Sequence, residues 1–142
     1  MKISFHYNYP SFRIRESGRH KRLLQAIFSD YAKGSQVELS YVFTTRSDML
    51  IINQEFLDHD YDTDVITFDY GEDGFVQSEI YIGVEAVREN AAEYGVSLSA
   101  EMRRVIVHAA LHLVGFGDLT CEERAVMREK EEYYLNLYRD AL

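Results

Sequence analysis

The sequence predicts an α+β fold, a small mixed four-stranded sheet packed with about five helices. Short runs with period-2 alternation of apolar and polar residues mark strands, and longer stretches with apolar residues three and four apart mark helices. The two kinds intermingle along a chain with no internal repeat and no Gly/Ser/Pro linker, so residues 1–142 are expected to form a single domain. With 142 residues, 46% of them hydrophobic, and one proline, the chain is long enough to bury a core.

Ile3, Phe5 and Tyr7 alternate with Ser4, His6 and Asn8 as a first strand. Residues 19–33 carry Leu23, Leu24, Ile27, Phe28 and Tyr31 at helical spacing, with Gly34 as a stop. Val37, Leu39, Tyr41 and Phe43 mark a second strand, and a short helix is expected from Ser47 through Leu50, Ile51 and Phe56. Asp64–Tyr70 reads as a third strand and Glu79–Gly83 as a fourth, with the turn residues GEDG at 71–74 between them. Val84, Val87, Ala91 and Tyr94 then define an amphipathic helix closed by Gly95. A helix from about Ser99 to Val114, apolar nearly all round its second half, belongs in the middle of the fold. The last helix opens with the capping box Thr120-Cys-Glu-Glu123 and is expected to turn Val126, Met127, Tyr134, Leu137 and Tyr138 inward, with EKEE at 129–132 on its wet face.

Composition narrows the function. No apolar run approaches the roughly 20 residues of a membrane span, and the N-terminus MKISFHYNYPSFRIRE lacks the apolar centre of a signal peptide. A lone cysteine, Cys121, rules out an internal disulfide framework and suits a reducing compartment, so a cytoplasmic location is expected. A net charge of −9 argues against a polyanionic partner. Its distribution argues the other way: residues 1–35 hold seven Lys/Arg against Glu16 and Asp30, five of them within 13–22. Such a patch could guide a polyanion to one face, and a solvated helix start is the alternative.

The stretch His108-Ala-Ala-Leu-His112-Leu-Val-Gly115-Phe-Gly-Asp118 carries the chemistry. Residues four apart share one face of a helix, about 6 Å apart along the axis, so two imidazoles can grip one ion from a rigid element. Gly115 can end the helix cheaply and reverse the chain, bringing Asp118 back over the rings. Two nitrogens, one carboxylate oxygen and a position left for water describe a catalytic zinc site. The competing reading is a pair of hydrogen-bonded core histidines without metal. A zinc-peptidase reading fails because the position after the first histidine, where such enzymes carry their glutamate base, is Ala109. Cys121, at a helix start, is a rival ligand or a small filler.

The same stretch resembles the signature H-G-x-L-H-L-x-G-Y-D-H of the YbeY endoribonucleases, also called rRNA maturation factors. The segment NQEFLDHDYDTDVITF at 53–68 is similar to that family's asparagine, linker and T-D-V-L-S-F strand. SEIYIGVEAVRENA at 78–91 resembles its G-D-I-x-I-S strand and following helix, and Met127 and Glu131 match the M…E of its last helix. The resemblance runs in order from about residue 37 to 134. It implies one zinc on the helix bearing His108 and His112, with Asp118 at the place of the family's third histidine. It also implies metal-dependent cleavage of single-stranded RNA, in maturing the 3′ end of 16S rRNA and in ribosome quality control.

On that footing the partner is rRNA of the small ribosomal subunit, and a ribosomal protein is a further candidate. His59 and Asp64, in the stretch matching the family's substrate-proximal linker and strand, are candidates for proton transfer or for orienting a ligand histidine. A solvated loop residue and a strand-start cap are the alternatives. Arg13, Arg15, Arg19 and Arg22 are candidates for RNA backbone contact. Departures from the pattern are Asp118 for histidine, Leu57 for the linker arginine, Ala109 for glycine, and Ser78-Glu79-Ile80 for G-D-I. Carboxylate is a sound zinc ligand, but Leu57 removes a bidentate phosphate clamp. That loss favours a second expectation, a non-catalytic zinc-binding ribosome-assembly factor.

Overall fold

The computed structural model describes residues 1–57 and 63–142. The elements in chain order are β1 (Lys2–Tyr7), α1 (Ser17–Tyr31), β2 (Gln36–Thr44), α2 (Arg46–Phe56), β3 (Val65–Asp69), β4 (Phe75–Gly83), α3 (Val84–Tyr94), α4 (Leu98–Leu113) and α5 (Cys121–Ala141). The four strands form one mixed sheet in the order β1-β2-β4-β3, with β1, β2 and β4 parallel and β3 antiparallel on the edge. This is the α+β architecture expected from the sequence.

The boundaries follow from local chemistry. Thr45, Ser97 and Thr120 accept from the third amide of α2, α4 and α5, and Glu123 completes the reciprocal box at Thr120. α4 therefore starts at Leu98 behind Ser97. β4 begins at Phe75, four residues before the expected Glu79, because all nine of its residues pair with Gln36–Thr44 of β2. The gain in backbone hydrogen bonds outweighs the polar Gln77 and Ser78, which show no strand-like alternation.

Two expectations for α5 are corrected. Val126 is exposed, and the EKEE run is not uniformly wet, since Glu131 is buried. Met127, Glu131, Tyr134 and Tyr138 recur at steps of four, three and four, and form the inward stripe. Val126 lies one residue off it.

α4 occupies the centre, its Val105, Ile106, Ala109, Ala110 and Leu111 all at most 1% exposed in the core. The buried Tyr41 hydroxyl of β2 donates to the Ile106 carbonyl at 2.9 Å, tying this helix to the sheet half a turn before the first histidine. Tyr41→Phe is expected to cost about 1 kcal/mol, read as a lower denaturant midpoint at unchanged m-value.

α1 and α5 are joined at a second buried group. The His20 ring accepts burial against Tyr138, centroids 5.1 Å apart, with Nδ1 3.1 Å from the Glu16 carbonyl. Burial pushes its pKa down, and the charges of Arg103 and Arg19 add to this against the opposing carbonyl bond and Glu16. The unfolded chain therefore binds a proton here that the folded chain resists. The associated stability is complete above the ordinary imidazole value of about 6.5 and declines as pH falls through it. His20→Asn is expected to flatten the loss of thermal stability between pH 7.5 and 5, measured against the parent chain.

Candidate metal centre

His108 and His112 stand one turn apart near the C-terminal end of α4, ring centroids 5.5 Å apart and planes at 70°. The helix stops at Leu113, and Gly115, at φ 108°, sits in the left-handed region that a side chain would resist. Its amide donates to the His112 carbonyl and that of Phe116 to Leu111, which caps the helix and reverses the chain. The reversal delivers Asp118 to the histidines: Oδ2 lies 3.4 Å from His108 Nε2 and Oδ1 3.6 Å from His112 Nε2.

Those separations decide whether the residues fit an ion. Two ligands bonded at about 2.1 Å with a tetrahedral angle lie about 3.4 Å apart, which the two Asp118 contacts match. One atom from each of the three side chains falls within 4.8 Å of the others, so a small contraction closes the cage. Both distances exceed an ordinary hydrogen bond. Among the described residues this is the cluster able to hold a metal, and Cys121 is not part of it. Its Sγ instead meets Arg124 at 3.2 Å.

The ring of His108 is set by a residue whose part periodicity did not reveal. Glu131 Oε2 lies 2.6 Å from His108 Nδ1. Nδ1 therefore carries the proton in the neutral ring, and Nε2 presents its lone pair to the cage. Glu131 is held in turn by Arg104, whose Nη1 reaches Oε1 at 3.4 Å while Nε and Nη2 grip the buried Glu101 at 2.9 and 2.6 Å. Burial of the His108 ring opposes its protonated form, but the hydrogen bond and charge of Glu131, with the charge of Asp118, outweigh that and leave its pKa raised. The cage is thus an electronegative place that favours a cation. Glu131 could have been found from the sequence as the one charged residue in step with Met127, Tyr134 and Tyr138.

The cage opens onto a groove of about 540 Å³ between α4, the end of α2 and the edge strand β3. Asp64 lines this groove with the histidines, and its Oδ2 accepts from Asn90 at 3.3 Å. Its carbonyl also accepts from Gly83, so it closes the start of β3 as well. Leu57 lines the groove at the α2 end. His59 lies outside the described residues.

The four arginines singled out by charge do not border this groove. Arg19 is engaged with Glu16 and with the carbonyls of Tyr138 and Leu142, tying α1 to the end of the chain. Arg22 is exposed on α1. Arg13 and Arg15 line a different cavity, at the other end of α4. Among the described residues no helix is long and apolar enough to cross a membrane.

The chain is similar to proteins already known. It is 40% identical over 133 residues to an endoribonuclease YbeY of Chlorobium limicola, covering 92% of each chain. It is 38% identical over 136 residues to one of Flavobacterium psychrophilum, covering 96% of each. The solution structure of TM1509 from Thermotoga maritima superposes with a TM-score of 0.66 at 25% identity, over 96% of this chain and 88% of that one. Residues 8–139 match the family model described as Endoribonuclease YbeY, and the chain belongs to that family.

Proposed function

We propose that this chain is a zinc-dependent endoribonuclease of single-stranded RNA, acting in the cytoplasm on the 3′ end of 16S rRNA and in ribosome quality control. The observation that carries this reading is the convergence of His108, His112 and Asp118, one ligand atom of each within 4.8 Å of the others, on the wall of an open groove. Two imidazoles and a carboxylate suit zinc. When bound, the ion supplies Lewis acidity toward a phosphoryl oxygen and an acidified water.

The chain's own residues do the rest. Glu131 orients His108, and Arg104 holds Glu131. Asn90 anchors one oxygen of Asp64, leaving the other to take a proton from an attacking water in the groove. His59 is the alternative proton carrier. A groove of this volume suits a nucleotide unit of a splayed strand better than a duplex.

Leu57 supports a second reading. It lies on the groove wall at the position where the family pattern has arginine, and among the described residues lining the groove none is an arginine that could clamp a phosphate bidentately. On this reading the chain is a non-catalytic zinc-binding assembly factor that holds rRNA or a ribosomal protein. Incubating the purified chain with single-stranded and duplex RNA, with and without chelator, separates the two. Single-strand cleavage that stops with chelator and returns with zinc supports the enzyme, whereas binding without cleavage supports the factor.

A further inference from the structure

A second cavity, of about 360 Å³, lies at the opposite end of α4 from the histidines. Its walls come from the loop before α1, from His20 of α1, from α3 and from the first turns of α4. Four of the lining side chains are arginines, Arg13, Arg15, Arg88 and Arg103, and none is acidic, in a chain with 24 acids and 15 Lys/Arg. Arg13, Arg15 and Arg88 are exposed and Arg103 is half-buried, so water screens part of their mutual repulsion and a bound anion would relieve the remainder.

Three of the four guanidinium groups are positioned by ring contacts, and none of the four is neutralised by an ion pair among the described residues. Among the described residues none of them pairs with a carboxylate. Three rest on aromatic rings instead: Arg13 lies 4.4 Å over Tyr7, Arg88 5.9 Å over Tyr9, and Arg103 3.9 Å over Tyr138. Stacking fixes the plane of a guanidinium and leaves N–H groups on its edge to donate. Arg103 Nε is buried with no acceptor among the described residues, a condition native proteins rarely tolerate without a ligand or water. The neighbouring acid, Glu16, is already engaged by Arg19 and the Tyr138 hydroxyl. Leu98 and Ser99, in the first turn of the 16-residue α4, line the same cavity and bring the positive end of that helix to it.

We propose that this cavity is a binding site for a phosphate monoester, carried on the end of an RNA strand or on a free nucleotide. A monoester offers nearly two charges and three terminal oxygens to the four forks, where a backbone diester offers one charge and two oxygens. The site is distinct from the metal centre. No residue lines both cavities, and Ser99 and His108 stand about 14 Å apart along α4 on opposite faces of it. It does not depend on nuclease activity.

Titration calorimetry of the purified full chain with inorganic phosphate, at fixed ionic strength, tests the site. Saturable binding is expected, weakened at least tenfold in the Arg13→Gln/Arg88→Gln double variant and retained in His112→Ala. Ser99→Glu, an exposed position in a helical first turn where an acid is tolerated, is expected to weaken it as much. It carries the test alone if the double variant fails to fold. A pentanucleotide with a 5′-phosphate binding at least tenfold tighter than its 5′-hydroxyl form would assign the site to strand ends. Adenosine monophosphate binding tighter than either would assign it to free nucleotides. The proposal is overturned if phosphate does not bind saturably, if binding is unchanged in the folded variants, or if His112→Ala abolishes it. Because the last variant dismantles only the metal cage, failure of the nuclease reading and failure of this site are seen separately.

Discussion

His112→Ala is expected to release the metal and to reduce RNA cleavage by at least a thousandfold, with little change in fold. His112 is the more exposed of the two histidines, its side chain 42% accessible against 18% for His108, so truncating it leaves no large cavity in the core. What it removes is one of the three side chains proposed to hold the ion. The two that remain, His108 and Asp118, come from different elements, joined through the α4 backbone and the Gly115 reversal, with Glu131 holding the His108 ring. The loss of one ligand from a three-ligand site also removes the geometry that acidifies water. Metal content by elemental analysis, circular dichroism and cleavage of a single-stranded RNA, measured on one preparation, check the three parts. A variant that keeps one ion per chain and full cleavage contradicts this assignment.

Glu131→Ala is expected to act at a distance from the ion and nearly as strongly. The carboxylate accepts from the Nδ1–H of His108 at 2.6 Å and receives Arg104 on its other oxygen. Without it the ring is free to rotate or change tautomer, and metal affinity falls about 10- to 100-fold. Stability falls too, by about 2 kcal/mol, because the Nδ1–H of His108 loses its acceptor, while Arg104 keeps Glu101. Glu131→Gln discriminates the causes. Its amide oxygen can still accept from Nδ1, so orientation and most of the stability return, while the loss of charge keeps the metal affinity below that of the parent chain. Metal titration against a competing chelator, beside thermal denaturation, distinguishes the two variants. Equal affinity in all three proteins would remove Glu131 from the account.

The contrast between these residues explains how far the sequence could be read. His108, His112, Gly115 and Asp118 were legible because they lie within eleven residues, and helix periodicity plus one glycine determines their arrangement. The M…E resemblance picked out Glu131, but its burial was hidden by its neighbours. Exposed Glu129 and Glu132 and half-buried Lys130 make the run look solvated, and its phase relative to Met127 and Tyr134 shows otherwise. Length of pairing was likewise invisible for β4, since its first four residues take strand form through long-range pairing with β2, with Asp69 of β3 and with Tyr70 and Glu72 beside them. The arginines show the opposite error. Proximity in sequence grouped Arg13, Arg15, Arg19 and Arg22, but folding sends Arg19 to the chain terminus and Arg22 to the open face of α1. It brings Arg88 and Arg103 to Arg13 and Arg15 from elements that no local pattern connects to them. Long-range contacts of this kind depend on packing order, which composition and spacing do not encode.

Zinc-edge X-ray absorption on the purified chain measures the central claim most directly. A single zinc per chain with two imidazole nitrogens and oxygen ligands near 2.0–2.1 Å, the carboxylate signal lost in Asp118→Ala, is the result expected. A sulfur scatterer at about 2.3 Å, which would point to Cys121, or the absence of a stoichiometric metal, would contradict it.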